Sequence, residues 1–124
     1  MLVRYLAQDD PAQSVRAARL IERELSERDP GYISVVVLVE ACRVLKRLYG
    51  ATALELRETL RDLLDSRQLV VEQRGIVSST LARLGEDAGD FADARIFECA
   101  FDAGCERTVT FDKAAAKLGM VLLR

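Results

Sequence analysis

Histidine is absent from all 124 residues, and that absence excludes a good deal of chemistry. Ser–His and Cys–His nucleophilic sites cannot be assembled, nor can a zinc or iron centre with imidazole ligands. Cysteine is scarce as well. Cys42, Cys99 and Cys105 show no CxxC spacing and are odd in number, so reduced core thiols are expected and a cytosolic chain is implied. A zinc held by the three cysteines and a carboxylate is the lesser alternative. No cleavable signal sequence is expected, and no apolar run approaches the roughly 18–20 residues of a membrane-crossing helix. The longest, Ile33 to Val39, is interrupted by Ser34. A positive surplus is also missing: the net charge is −2, so no global field advertises nucleic acid. A local groove with a bound cation can still attract it.

What is present is an ordinary globular balance, 50% hydrophobic and 31% charged. It is read as one domain over residues 1–124, long enough to bury roughly two-thirds of the surface of its unfolded chain. Met1–Gln8 is a short apolar stub. Asp10-Pro11 marks a helix start, with Asp as N-cap and Pro in the first turn. That helix is expected to run to Arg28 with Val15, Ala18, Ile21 and Leu25 on one face, and to stop at Asp29-Pro30-Gly31. The β-branched run from Tyr32 begins as a strand buried on both faces. It turns helical near Val36 and continues to Tyr49, ending at Gly50.

Helix Ala53–Ser66 should turn Leu56, Leu60, Leu63 and Leu64 inward. A strand Leu69–Val71, a helix Ile76–Leu84, a helix from Asp90 towards Gly104, a strand Thr108–Phe111, a helix Lys113–Leu118 and a strand Val121–Leu123 complete the chain. Strands alternating with helices of these lengths imply an α/β sandwich with a mainly parallel sheet. Ligands bind such sheets beyond the carboxyl ends of the strands. Glu40 and Asp112 follow strands in this way.

The helix around Asp93 can be phased residue by residue. At about 100° per residue, Arg95, Glu98 and Asp102 fall within roughly 60° of one another and read as the outward face. Asp93 lies about 140–180° from them, beside Ile96, Phe97 and Ala100. A carboxylate directed to the apolar side is costly unless protonated, paired or bound to a metal. Plainer roles compete at the other acids. Glu40 lies near Arg43 and Arg47 on its helix, as in a surface ion pair. Asp112 and Asp90 each precede a helix and can cap it, as can Asp9 and Asp10. Arg43, Lys46 and Arg47 read either as phosphate contacts or as a solvated face.

Four stretches in order, LVRYLAQDDP (2–11), ISVVVLVEACRVLKRLYG (33–50), GDFADARI (89–96) and CERTVTFD (105–112), resemble the PIN-domain ribonucleases. The resemblance is in particular to the toxin subunits of type II toxin–antitoxin modules. The resemblance implies a three-layer α/β domain in which acids hold Mg²⁺ or Mn²⁺ for hydrolysis of RNA phosphodiesters. By position those acids are Glu40, Asp93 and Asp112, with Asp90 as an accessory metal ligand. It also implies a homodimer and a cognate antitoxin as partner. Carboxylates suit the chemistry, being the hard oxygen donors these ions prefer, and a metal-activated water needs no histidine.

The chain departs from the family pattern at its start. Members usually open with an apolar strand ending in Asp-Thr-Asn, whereas this sequence begins Met1-Leu2-Val3. The resemblance leads to the expectation that the natural start lies upstream of Met1, or that the protein is a truncation; in either case something should fill the strand's place. Leu2–Leu6 in extended form, a closing-up of neighbouring strands, or a segment from a partner chain would each do so, with rearrangement near the N-terminus favoured. The rival reading is a catalytically impaired PIN-like remnant that serves only in dimerisation or antitoxin binding. A receiver-like domain with an acidic Mg²⁺ pocket fits less well, because no acidic pair follows a first strand.

Overall fold

The computed structural model describes residues 2–7, 10–83 and 91–123. The chain divides into two compact units, Met1–Glu72 and Gln73–Arg124.

In the first unit, α1 (Leu2–Ala7) and α2 (Pro11–Arg19) precede a single π-helical turn, Leu20–Glu24. Then come β1 (Gly31–Ile33), α3 (Val35–Tyr49), α4 (Ala53–Asp65) and β2 (Leu69–Val71). Leu2–Ala7 is helical, not extended, and it packs on α2 and α3. Ser14 Oγ donates to the Arg4 carbonyl at 2.8 Å, fixing the corner between α1 and α2. Asp10 caps α2 as expected, its Oδ1 accepting from the Gln13 amide.

The first long helix is shorter than expected and differently turned. Leu25 adopts extended backbone, and its amide reaches back five residues to Leu20, the hydrogen-bond spacing of a π-turn. Ser26 and Asp29 close the following turn through two hydrogen bonds. The buried stripe is Ser14, Ala17 and Ile21, and Val15 is exposed. Ser14 is inside because its hydroxyl has the Arg4 carbonyl as a partner, which removes most of the cost of burying it.

The run from Gly31 changes from strand to helix at Ser34, whose Oγ accepts from the Val37 amide. A second cap comes from far along the chain: Glu72 Oε1 accepts from the Val35 amide at 2.8 Å. Gly50, in left-handed conformation, ends α3. A full capping box starts α4, Thr52 and Glu55 each satisfying the other's amide. Leu60, Leu63 and Leu64 are buried along it, against β2. β1 and β2 pair in parallel with Tyr32 opposite Val70. Ile33, Leu69 and Val71 form the buried side of that pair, while Tyr32 and Val70 are exposed.

The second unit holds α5 (Arg74–Arg83), α6 (Phe91–Asp102), β3 (Val109–Thr110), α7 (Lys113–Ala116) and β4 (Val121–Leu122). α5 packs against α6, with Val77, Thr80 and Leu81 meeting a core that includes Phe91 and Ala94. Thr80 is fully buried and its hydroxyl donates to the Ile76 carbonyl. β3 and β4 pair in parallel, Val109 with Val121, joined through α7. All four strands expected from the sequence are present, and they form short parallel pairs. Helices alternating with these pairs give the α/β fold class expected of a PIN-like domain.

Candidate functional site

α6 carries the first correction. Its buried face is Phe91, Ala94, Arg95 and Glu98, and Ile96 and Phe101 are 56% and 68% exposed. Arg95 and Glu98, expected outside, are therefore inside. Their burial is possible because each charge has a polar partner. Glu98 pairs with Arg83 of α5, and Arg95 donates to the Gln73 side chain. Arg83 also lies 4.4 Å from the Phe97 ring centroid and reaches the Leu118 carbonyl at 3.4 Å. Arg95 Nε is buried with no hydrogen-bond partner among the described residues. Gln73 holds this position with φ of 50°, in the left-handed region.

Asp93 consequently lies about 150° around the helix from the centre of the buried stripe. It does share a side with Ile96, Phe97 and Ala100, as expected, but that apolar side is the more open one. Asp93 is half-buried and takes part in an interaction of its own.

Glu40 stands on α3 with a side chain 60% exposed, and its carboxylate lies 3.9 Å from Arg43 one turn on. Asp112 is exposed and caps α7, Oδ1 accepting from the Ala114 amide at 2.9 Å. The Asp112 amide in turn donates to Thr110 Oγ1 at the end of β3. Asp90 falls outside the described residues. Glu40 belongs to the first unit, and Asp93 and Asp112 to the second. Among the described residues, no three of His, Cys, Asp and Glu gather closely enough to hold a metal ion. As donors, the carboxylates suit a hard divalent cation, and Asp112 keeps its second oxygen clear of the cap.

One carboxylate escaped the sequence reading. Glu72 directly follows β2, the same placement that singled out Asp112 after β3. It is half-buried, accepts from the Val35 amide, and hydrogen-bonds the Tyr32 hydroxyl. The Tyr32 phenol is held above its ordinary value by desolvation and then by the neighbouring Glu72 charge. A cavity of about 200 Å³ lies among α1, α3 and α4, and none of the candidate acids lines it.

The sequence profile described as "PIN domain" matches residues 1–120. The chain belongs to the PIN domain family. No curated protein and no solved structure gives a significant match to it. PIN domains are generally metal-dependent nucleases acting on RNA or DNA, which assigns this PIN chain to a nuclease family. No helix among its described residues is long and apolar enough to cross a membrane. The match spans both compact units and takes in Glu40, Asp90, Asp93 and Asp112.

Proposed function

We propose that the protein is a metal-dependent endoribonuclease of the toxin type, acting in the cytoplasm and held inactive by a cognate antitoxin. The observation that carries this reading is the family match over residues 1–120, a stretch that includes Glu40, Asp90, Asp93 and Asp112. On this reading both units form one PIN-like domain, and the active assembly is a homodimer. Glu40, Asp93 and Asp112 provide hard oxygen donors, and Asp90 is a fourth. Bound Mg²⁺ or Mn²⁺ supplies charge neutralisation at the phosphodiester and acidifies an attacking water. The carboxylates orient that water and keep the site anionic, so that the cation is retained without histidine. Arg43, Lys46 and Arg47, on the same helix as Glu40, can meet phosphates of the RNA.

The test is cleavage of single-stranded RNA by the purified chain with Mg²⁺ or Mn²⁺, lost on chelation. Asp93→Asn and Glu40→Gln should abolish cleavage and weaken Mn²⁺ binding by calorimetry while leaving the circular dichroism spectrum unchanged. Light scattering across the micromolar range should report a dimer.

A second reading has specific support. Glu40 already pairs with Arg43 and Asp112 already caps α7, so a PIN-like module that binds an antitoxin or its own copy without catalysis would use these two acids structurally. A folded chain that forms a complex but binds no Mn²⁺ and cuts no RNA would select it.

A further inference from the structure

The three thiols are not alike. Cys42 is buried, Cys99 is half-buried and Cys105 is exposed, so the expectation of three core thiols holds for Cys42 alone. The other two stand at related positions of one motif. α6 ends with the Ala103 amide donating to the Cys99 carbonyl and the Cys105 amide donating to the Ala100 carbonyl at 3.0 Å. Between them Gly104 has φ of 86°. A five-residue backward bond over a left-handed glycine is the Schellman arrangement. In it the second residue beyond the cap folds back onto side chains of the last full turn. Here that residue is Cys105, and Cys99 is in the turn it folds onto.

We propose that Cys99 and Cys105 form a redox-switchable disulfide across the C-terminal cap of α6. The oxidant is a small-molecule disulfide. The thiolate of exposed Cys105 attacks one of its sulfurs, giving a mixed disulfide and releasing one small thiolate. The thiolate of Cys99 then attacks Cys105 Sγ, closing the intrachain bond and releasing the second. Two protein thiols are oxidised, and one external disulfide is reduced to two thiols. Cys42 does not participate, because burial denies it the oxidant. The bond would staple the end of the helix carrying Asp93 to the segment leading into β3 and Asp112, whether or not the nuclease reading holds.

The experiment exposes the full chain to oxidised glutathione and digests it with trypsin after blocking remaining thiols. Cleavage after Arg95 and Arg107 puts Cys99 and Cys105 in one peptide and leaves Cys42 in another. The expected result is a 96–107 peptide lighter by two hydrogen atoms, with the Cys42 peptide blocked as a free thiol. Because the cap folds Cys105 back towards the turn that carries Cys99, ring closure should be at least about ten-fold faster in the folded chain than in urea. Cys99→Ser should stop the reaction at a glutathione adduct on Cys105. Equal closure rates folded and unfolded, an adduct that persists on Cys105 in the unaltered chain, or a disulfide to Cys42 would each overturn the proposal.

Discussion

Arg83 and Glu98 form a pair whose members are buried unequally, and this makes their removal asymmetric. The side chain of Glu98 is 9% exposed and that of Arg83 is 36% exposed. Replacing Arg83 with Met keeps an apolar stem over Phe97 but strands a buried carboxylate. Breaking a fully buried pair costs about 3–5 kcal/mol; the partial exposure of Arg83 lets water reach the site, which lowers the expected cost to about 2–3 kcal/mol. Glu98→Gln leaves the arginine with the Leu118 carbonyl, the Phe97 face and solvent. It should therefore cost only about 1 kcal/mol. In the double variant no charge is stranded, so its loss should fall short of the sum by about 1–2 kcal/mol. For a chain of this length, each kcal/mol corresponds to a shift in Tm of about 3–5 °C. Urea unfolding of the four proteins at neutral pH measures the cycle. Additive losses, or a Glu98→Gln loss larger than that of Arg83→Met, would refute the argument from unequal burial.

Asp112→Asn keeps a good cap for α7, so stability should stay within about 0.5 kcal/mol, whereas RNA cleavage should vanish; undiminished cleavage in an initial-rate assay would remove Asp112 from the proposed site. Glu72→Ala strips the charged cap from Val35 and should lower unfolding stability by about 1–2 kcal/mol, read from urea titration. Gly119→Ala places a Cβ 2.9 Å from Phe97 Cζ on a backbone with φ of 120°, and should cost about 1–3 kcal/mol in the same assay. Burial and then the Glu22 carboxylate, which accepts from the Tyr5 hydroxyl at 3.2 Å, raise the Tyr5 phenol above 10.0. The stabilisation this carries is complete below pH 10 and disappears as pH rises through the elevated folded-state value, so phenolate absorbance should lag for Tyr5 and Tyr5→Phe should flatten the alkaline loss of stability.

Local chemistry was the legible part of this chain. Asp10-Pro11, Gly50 and Gly104 marked helix ends correctly because capping depends on a few adjacent residues. Leu69–Val71 and Thr108–Phe111 announced strands through β-branched runs between turn residues. Leu60, Leu63 and Leu64 were placed inward by periodicity alone. Failures came where tertiary partners decide. Arg95 and Glu98 read as solvent-facing because charge normally is, and the sequence around α6 does not say that Arg83 and Gln73 will meet them. The burial of Ser14 depends in the same way on a carbonyl ten residues earlier. Of the candidate site, residue types and order were legible, but the local duties of Glu40 and Asp112 competed with any shared role. Glu72 was missed although the rule applied to Asp112 pointed to it equally.

The double capping of α3 has a consequence for how the first unit assembles. Ser34 can cap the helix as soon as the chain reaches Val37, whereas the bond from Val35 to Glu72 spans 37 residues. It requires β2 to have found its register beside β1. The first turn of α3 is thus completed late, at the close of a long loop whose closure entropy must already have been met. Val35 and Val37 sit two residues apart in one turn, yet their amides report different events. In native-state hydrogen exchange, protection at Val35 should disappear with the opening of the β1–β2 pair, while the amides deeper in the helix outlast it.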